Sequence, residues 1–288
     1  MAPGACPDCA SSYEKRSVQS HVPPFGVGCG VTLSARVCCI TGAATGIGAA
    51  CARAFAAQGW NVALSAFGDE QTPLAVALAQ ECTAHGVQAS THALDVRDDA
   101  SCAAFAQAAL ARHGRIDALV HCAATTRFIP HDDFDTLDAA EFHRTYDVNT
   151  VGAWRMVRAL RPALHASGQG SVVLVSSIGG LLGRGSSVAY AASKGALNTL
   201  TLALARAMAP AVRVNAVAPG FVAGGLPSRV LTPEQHADVE RVQTEAAVLR
   251  RVSQPAEVAA LALFITDKAP AMTGQVVAMD NGLHLNAG

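Results

Sequence analysis

Thr41-Gly42-Ala43-Ala44-Thr45-Gly46-Ile47-Gly48 lies between a short apolar run and a stretch with helical spacing. Its glycines let a backbone turn tightly and approach a bulky anion. The N–H groups that open the following helix have no intrahelical partner, and the helix dipole favours negative charge there. Placed after the first β-like run and before a helix, the pattern favours a dinucleotide pyrophosphate cradle over an ordinary glycine-rich connection. Gly42, Thr45, Gly46 and Ile47 are its candidate contacts.

Working outward, residues 35–41 read as a first strand and 48–58 as a helix stopped by Gly59. The alternation then repeats. Strands are expected over 61–67, 87–94, 116–122, 171–177, 212–217 and 275–279, and helices over 72–85, 98–113 and 188–209. Residues 138–166 suit one or two helices. Gln254-Pro255-Ala256-Glu257 resembles a helix start, with proline at the first helical position and Glu257 able to reach back. Apolar strands separated by helices indicate a parallel sheet covered on both faces, and right-handed crossovers make it doubly wound. The expected fold is therefore α/β, a single domain of about seven strands with helices on both faces. In such a sheet ligands sit beyond the C-terminal strand ends, where the strand order reverses.

Composition agrees. Hydrophobic residues make up 51% of the 288 and aromatics only 5%, which suits close-packed helices on a sheet. A net charge of −1 without a basic run argues against nucleic acid as a partner. No apolar stretch reaches the roughly 18 residues of a membrane span. Of nine cysteines, Cys38, Cys39, Cys51, Cys82, Cys102 and Cys122 fall in or beside strands and helices. They read as reduced, small apolar residues, which implies a cytoplasmic location. Residues 1–35 have several prolines and glycines and no periodicity, so they read as a disordered extension without secretory character. Translation starting later, near Val31, is one reading of it. Cys6 and Cys9 have metal-ligand spacing, with Cys29 and His21 able to complete a set on paper, but no metal site is expected.

Tyr190-Ala191-Ala192-Ser193-Lys194 opens the helix over 188–209. Tyr190 and Lys194, at i and i+4, share a face. An ammonium beside a phenol lowers the phenol's pKa from about 10, so the tyrosine can exchange protons nearer neutral pH. An amphipathic surface pair has the same spacing. Ser176-Ser177 closes the fifth strand, and that strand end should lie near the helix start. A hydroxyl there can hydrogen-bond an oxygen on which charge develops.

With these residues in place, the chain resembles the short-chain dehydrogenase/reductase family, in its 3-oxoacyl-(acyl carrier protein) reductase-like branch. The family's Thr-Gly-x-x-x-Gly-x-Gly pattern is complete from Thr41 to Gly48, and the resemblance continues through Gly282. It implies an NAD(P)-binding, Rossmann-type catalytic domain over residues 36–288, with 221–252 as a substrate lid. It also implies a catalytic tetrad of Asn149, Ser177 (the second serine of the pair), Tyr190 and Lys194. In the implied ketone reduction Tyr190 gives the proton and Ser177 positions the oxygen. Lys194 binds the nicotinamide ribose, and Asn149 interrupts its helix and anchors a relay water. Asp95 and Val96 are expected at the adenine. Ala123, Pro219, Gly220 and Val222 are expected along the cofactor with Tyr190 and Lys194.

The resemblance has departures. His121-Cys122-Ala123-Ala124 stands where the family has Asn-Asn-Ala-Gly, and Gly224 stands where it has a threonine for the carboxamide. A carboxylate at the end of the second strand would bind the ribose hydroxyls of NAD and repel the extra phosphate of NADP. Ala66 holds that position, with no arginine in its place, although Asp69 and Glu70 follow shortly. The missing repulsion tips the expectation towards NADP(H) over NAD(H), and Ser65 can hydrogen-bond either. Thr125, Thr126, Arg127 and Phe128 are expected to border the substrate. Leu226, Val230, Leu231, Val239 and Val248 are expected to form an apolar covering. The implied protein is a ketone/secondary-alcohol oxidoreductase taking a small-molecule substrate and forming a homodimer or homotetramer through the helices of Trp154 and Tyr190. A non-catalytic cofactor-binding scaffold is the alternative that the departures leave open, and an epimerase a third.

Overall fold

The computed structural model describes residues 35–286. The extension expected over 1–35, with its Cys6 and Cys9 spacing, falls outside them apart from Ala35. The first half runs β1 (Val37–Thr41), α1 (Gly46–Ala57), β2 (Asn61–Ala66), α2 (Gly68–Thr83), β3 (Ala89–Ala93), α3 (Asp99–His113) and β4 (Ala118–His121). Next come α4 (Ala139–Tyr146), a π-helical turn (Asp147–Val151) and α5 (Gly152–Ala166). The second half runs β5 (Gly170–Val175), α6 (Gly179–Leu182), α7 (Val188–Met208), β6 (Val212–Pro219), α8 (Pro233–Ala246), α9 (Pro255–Asp267) and β7 (Val276–Met279).

The seven strands form one sheet in the order β3-β2-β1-β4-β5-β6-β7, and every neighbouring pair is parallel. The residues explain the arrangement. Every residue of β1, β2, β4 and β5 is buried, which only helices on both faces can achieve. On one face Phe55, Leu78 and Ile265 from α1, α2 and α9 pack on Ile40, Leu64 and Val120. On the other, Phe105, Met156 and Leu197 from α3, α5 and α7 pack on Leu119, Leu174 and Val214. Each fully buried large side chain contributes about 1.5–3 kcal/mol. The edge strand β3, Ala89–Ala93, carries Ser90, Thr91 and His92 and is half-buried.

Helix ends follow the local chemistry. Asp98 accepts from the N–H groups of Ala100 and Ser101 at the start of α3, and Gly114 closes it at φ 77°. At α9, Glu257 accepts from the Gln254 N–H at 2.8 Å, the reach-back expected of that sequence. The chain runs outward from β1 through β2 to β3, then returns to place β4 on the other side of β1. That reversal opens a crevice beyond Thr41 and His121, which are paired in register. No described helix is long and apolar enough to cross a membrane.

Candidate active site

The turn from β1 into α1 is built around glycines that no other residue can replace. Gly42 has φ 61°, and a Cβ there would stand 2.9 Å from the Ala123 nitrogen. A Cβ on Gly48 would stand 2.1 Å from the Gly42 carbonyl oxygen. Thr45 precedes α1 in extended conformation, and its side chain caps no N–H group. The helix start therefore keeps free donors aimed beyond the sheet. Ser65, at the end of β2, accepts from the Gly42 N–H at 2.9 Å and steadies the turn. Its hydroxyl proton stays free to donate.

This turn forms one wall of a cavity of about 770 Å³ along the C-terminal strand ends. The cavity is lined by all thirteen cofactor contacts expected from the sequence: Gly42, Thr45, Gly46, Ile47, Ser65, Asp95, Val96, Ala123, Tyr190, Lys194, Pro219, Gly220 and Val222. Ser177 lines it as well; Asn149 does not. Glycines that bring backbone close, free N–H donors and an elongated crevice at the sheet's reversal fit a dinucleotide. Among the described residues no group of three or more His, Cys, Asp or Glu side chains could hold a metal ion.

β5 and the start of α7 bring the chemical groups together. Ser176 points inward, donating to Asn198 Oδ1 and to the Lys194 carbonyl. Both serines line the cavity, but the Ser176 hydroxyl is taken up by Asn198 and the Lys194 carbonyl, whereas the Ser177 side chain is turned to Tyr190. The Ser177 oxygen accepts from the Gly179 N–H at 3.0 Å and its hydroxyl meets the Tyr190 phenol. Ser187 caps α7 by accepting from the Tyr190 N–H, which fixes the first turn. Lys194, 2% exposed, donates from Nζ to the Val175 carbonyl at 2.8 Å, and its Nζ lies 5.7 Å from the centre of the Tyr190 ring.

The electrostatics differ from the sequence expectation. Burial raises the Tyr190 phenol above its ordinary pKa, and the Ser177 hydroxyl offsets part of that rise. Burial also pulls the Lys194 ammonium down to about 8. The lowering expected from the ammonium is outweighed, because the ring sits in a desolvated wall and the ammonium is turned to the Val175 carbonyl. Tyr190 accordingly holds its proton at neutral pH, the state a proton donor needs.

Asn149 sits in the π-helical turn between α4 and α5 and is fully buried. Its Nδ2 donates to the Thr125 carbonyl and to Ser193 Oγ, each at 3.0 Å, and its Oδ1 accepts from the Thr125 N–H at 2.8 Å. Both amide protons are thus committed. The side chain ties the exit of β4 to α7, holding Thr125 on the cavity wall.

The departures become legible here. Thr41 Oγ1 accepts from the N–H groups of Cys122 and Ala123, both at 3.1 Å. With its lone pairs taken, its own proton goes to His121 Nδ1 at 2.9 Å. His121 then carries its proton on Nε2, which has no partner and is buried. Desolvation, helped by nearby Lys194, holds the imidazole neutral with its pKa lowered to about 3. His121 thus joins β1 to β4 in place of the family's asparagine. Cys122 lines the cavity and meets the Cys51 thiol behind the cradle.

Several wall residues escaped the sequence reading. Arg97, two positions after Asp95, grips the Asp95 carboxylate at 2.6 Å, holds its pKa low and lies over Phe67. The Asp-Val-Arg spacing was the available signal. Arg144, Arg184, Arg229 and Gln243 also line the cavity, but only the folded loops bring them there. Of the residues expected at the substrate end, Thr125, Thr126, Phe128, Leu226 and Val239 line the cavity; Arg127, Val230, Leu231 and Val248 do not.

A cavity that cradles a dinucleotide at one end and presents a serine, a tyrosine and a lysine at the other is that of a nicotinamide-dependent oxidoreductase. Residues 42–284 match a family model described as enoyl-(acyl carrier protein) reductase. A structure from Burkholderia xenovorans, assigned as a short-chain dehydrogenase/reductase, is 50% identical with a TM-score of 0.82, over 88% of this chain and 99% of that one. A Streptomyces violaceoruber protein, assigned as ketoacyl reductase 2 of the granaticin polyketide synthase, is 36% identical over 87% of this chain and 97% of its own. A variant of actinorhodin polyketide ketoreductase, solved with NADPH, is 28% identical with a TM-score of 0.77, over 86% of this chain and 97% of that one. The chain belongs to the short-chain dehydrogenase/reductase family.

Proposed function

We propose that this protein is an NADPH-dependent ketoreductase that interconverts a ketone and a secondary alcohol, with Tyr190 as the proton donor. The observation that carries this reading is the meeting of Ser177 with Tyr190, and of Lys194 beneath the tyrosine ring, on one wall of the cavity that holds the glycine cradle. The nicotinamide, when bound, supplies the hydride for the carbonyl carbon or takes it from the carbinol. Gly42, Thr45, Gly46 and Ile47 would hold its pyrophosphate, and Asp95 and Val96 its adenine.

The chain's own residues do the rest. Ser177 Oγ hydrogen-bonds the substrate oxygen and orients it towards Tyr190. Tyr190 transfers its phenolic proton to that oxygen in reduction and receives it back in oxidation. Lys194 places positive charge beneath the phenol, which stabilises the phenolate left behind. Asn149 acts as a positioning residue for Thr125 and Ser193. The segment over 221–252 serves as the lid, since its Leu226, Val239 and Val242 cover the cavity.

Preference for NADPH is supported at the β2 exit. Ala66 leaves the end of β2 without a carboxylate, Asp69 and Glu70 in the first turn of α2 do not line the cavity, and Arg97, held by Asp95, lies beside Phe67. The relative solved with NADPH agrees. Among the described residues, six buried or half-buried free thiols suit a reducing cytoplasm. Half-exposed Trp154 on α5, at 40%, suits assembly into a homodimer or homotetramer.

The test is turnover of a panel of ketones, followed by nicotinamide absorbance with NADPH and NADH in parallel. NADPH should be consumed faster. Tyr190→Phe should lower kcat at least a thousandfold while NADPH still binds, on the order of a lost general acid and more. Full activity in Tyr190→Phe would remove the assignment.

A further inference from the structure

The substrate end of the cavity carries charge that the reaction above does not use. Among the described residues lining the cavity, Asp95 is the one carboxylate, and Arg97 already grips it at the cofactor end. Arg144 is held by Glu141 at 2.6 Å and by Thr125 Oγ1 at 2.8 Å. Arg184 and Arg229 differ. Both line the cavity, and neither makes an ion pair or side-chain hydrogen bond with a described residue. They come from separate elements. Arg184 lies between α6 and α7, beside Gly185, where a Cβ would stand 3.5 Å from the Tyr190 ring. Arg229 ends the 3-10 turn Leu226–Arg229 in the lid. Phe128, Phe221, Leu226 and Val242 give the same cavity apolar walls.

Two guanidiniums without an ion-pair partner among the described residues, both solvent-exposed, line one cavity, and an oxyanion bound there is attracted by each. Arginine's fixed fork of donors matches a carboxylate or a phosphate. Because both side chains are exposed, the attraction is of moderate strength and is screened by salt. We infer that the ketone this enzyme reduces carries an oxyanion, joined to the carbonyl by a short apolar spacer, with Arg184 as its main anchor and Arg229 closing on it from the lid. This rests on the ketoreductase reading and adds the substrate class to it. Arg184 adjoins Gly185, whose backbone faces the Tyr190 ring, so its loop belongs to the catalytic end of the cavity and not to the glycine cradle.

The experiment compares levulinate, methyl levulinate and the phosphate monoester of the matching keto alcohol as substrates with NADPH. The native enzyme should favour at least one anion over the ester in kcat/KM by about tenfold or more, the scale of one charge-assisted hydrogen bond. Which anion gains more identifies the carboxylate or the phosphate as its source. Arg184→Gln should bring that ratio near one, mostly through KM, and added salt should erode it in the native enzyme. Equal kcat/KM for ester and anions, or a ratio unmoved in an Arg184→Gln, Arg229→Gln double variant, overturns the proposal. A raised KM for NADPH in Arg229→Gln with an unchanged ratio overturns the part given to Arg229. If no ketone, charged or neutral, is reduced, the ketoreductase reading fails instead. The oxyanion site is then judged by calorimetric titration of levulinate and methyl levulinate into the NADPH-loaded enzyme, where equal affinities overturn it.

Discussion

Tyr190, Lys194 and His121 show how burial sets proton affinities at single residues. The raised phenol and the ammonium at about 8 give the reduction a definite pH dependence. Reduction needs the phenolic proton and the ammonium beneath it. Ketone reduction should therefore hold steady through neutral pH and fall as pH rises through about 8; alcohol oxidation should not share that fall, since it needs the phenolate. Initial rates in both directions from pH 6 to 10 check this. His121 contributes to stability with the opposite pH sense. Its folded pKa, about 3, lies below the unfolded value of about 6.5. Between the two the unfolded chain binds the extra proton, so stability rises with pH across that window and is lost as pH falls below about 6.5. At pH 5 the loss is about 2 kcal/mol. Urea titrations at pH 7 and 5 should show it in the native protein; His121→Asn, which keeps a side-chain acceptor for Thr41 Oγ1, should lack it.

Among the elements, the turn from β1 into α1 is where a methyl group decides the outcome. On Gly48 a Cβ would meet the Gly42 carbonyl at 2.1 Å, and that carbonyl is backbone that cannot swing aside. On Gly46 the nearest atoms are 3.6 Å away, so only its φ of 55° resists a side chain. Gly46→Ala should cost about 1–2 kcal/mol of stability from backbone conformation. Gly48→Ala should cost about 3 kcal/mol or more through overpacking, and should also abolish NADPH binding by displacing the cradle. Denaturant titration and NADPH fluorescence titration separate the two. The glycine signal was legible because such constraints are local to the chain, as was the start of α9 at Gln254 and Glu257. Elements without a buried face were not legible. α8 has no buried residue, so no apolar period marks it, and α6 is four residues long. α2 begins at Gly68, ahead of the expected Thr72, and carries Pro73 inside it; the proline reads as a start signal because its missing N–H is tolerated near the first turn. The site divides the same way. Tyr190, Lys194 and Ser177 sit at element ends that the pattern fixes, while Arg184 and Arg229 lie on connections whose course only tertiary packing sets.

At the scale of the molecule, the cavity wall draws on the ends of β1, β2, β4, β5 and β6, the starts of α1 and α7, and the lid. A ligand filling it is held by both halves of the sheet, across the reversal of strand order between β1 and β4. The parts nearest the cavity gain little from the two cores. Ala123, Thr125 and Phe221 are half-buried, and α8 buries none of its residues. Binding energy therefore adds to a region that the fold itself holds weakly, and global unfolding must release the ligand first. A ligand at a hundred times its Kd adds about 2.7 kcal/mol, and a chain of this size gains about 2–4 °C in Tm per kcal/mol. Saturating NADPH should raise the Tm by about 5–10 °C. NADH at the same concentration should raise it less, because no carboxylate from the β2 exit lines the cavity to repel the 2′-phosphate, and Arg97, though held by Asp95, stands beside Phe67. Thermal unfolding followed by circular dichroism tests both points. Equal shifts would remove the cofactor preference while leaving the cradle, and no shift with either nucleotide would mean that the crevice at the strand reversal holds something other than a dinucleotide.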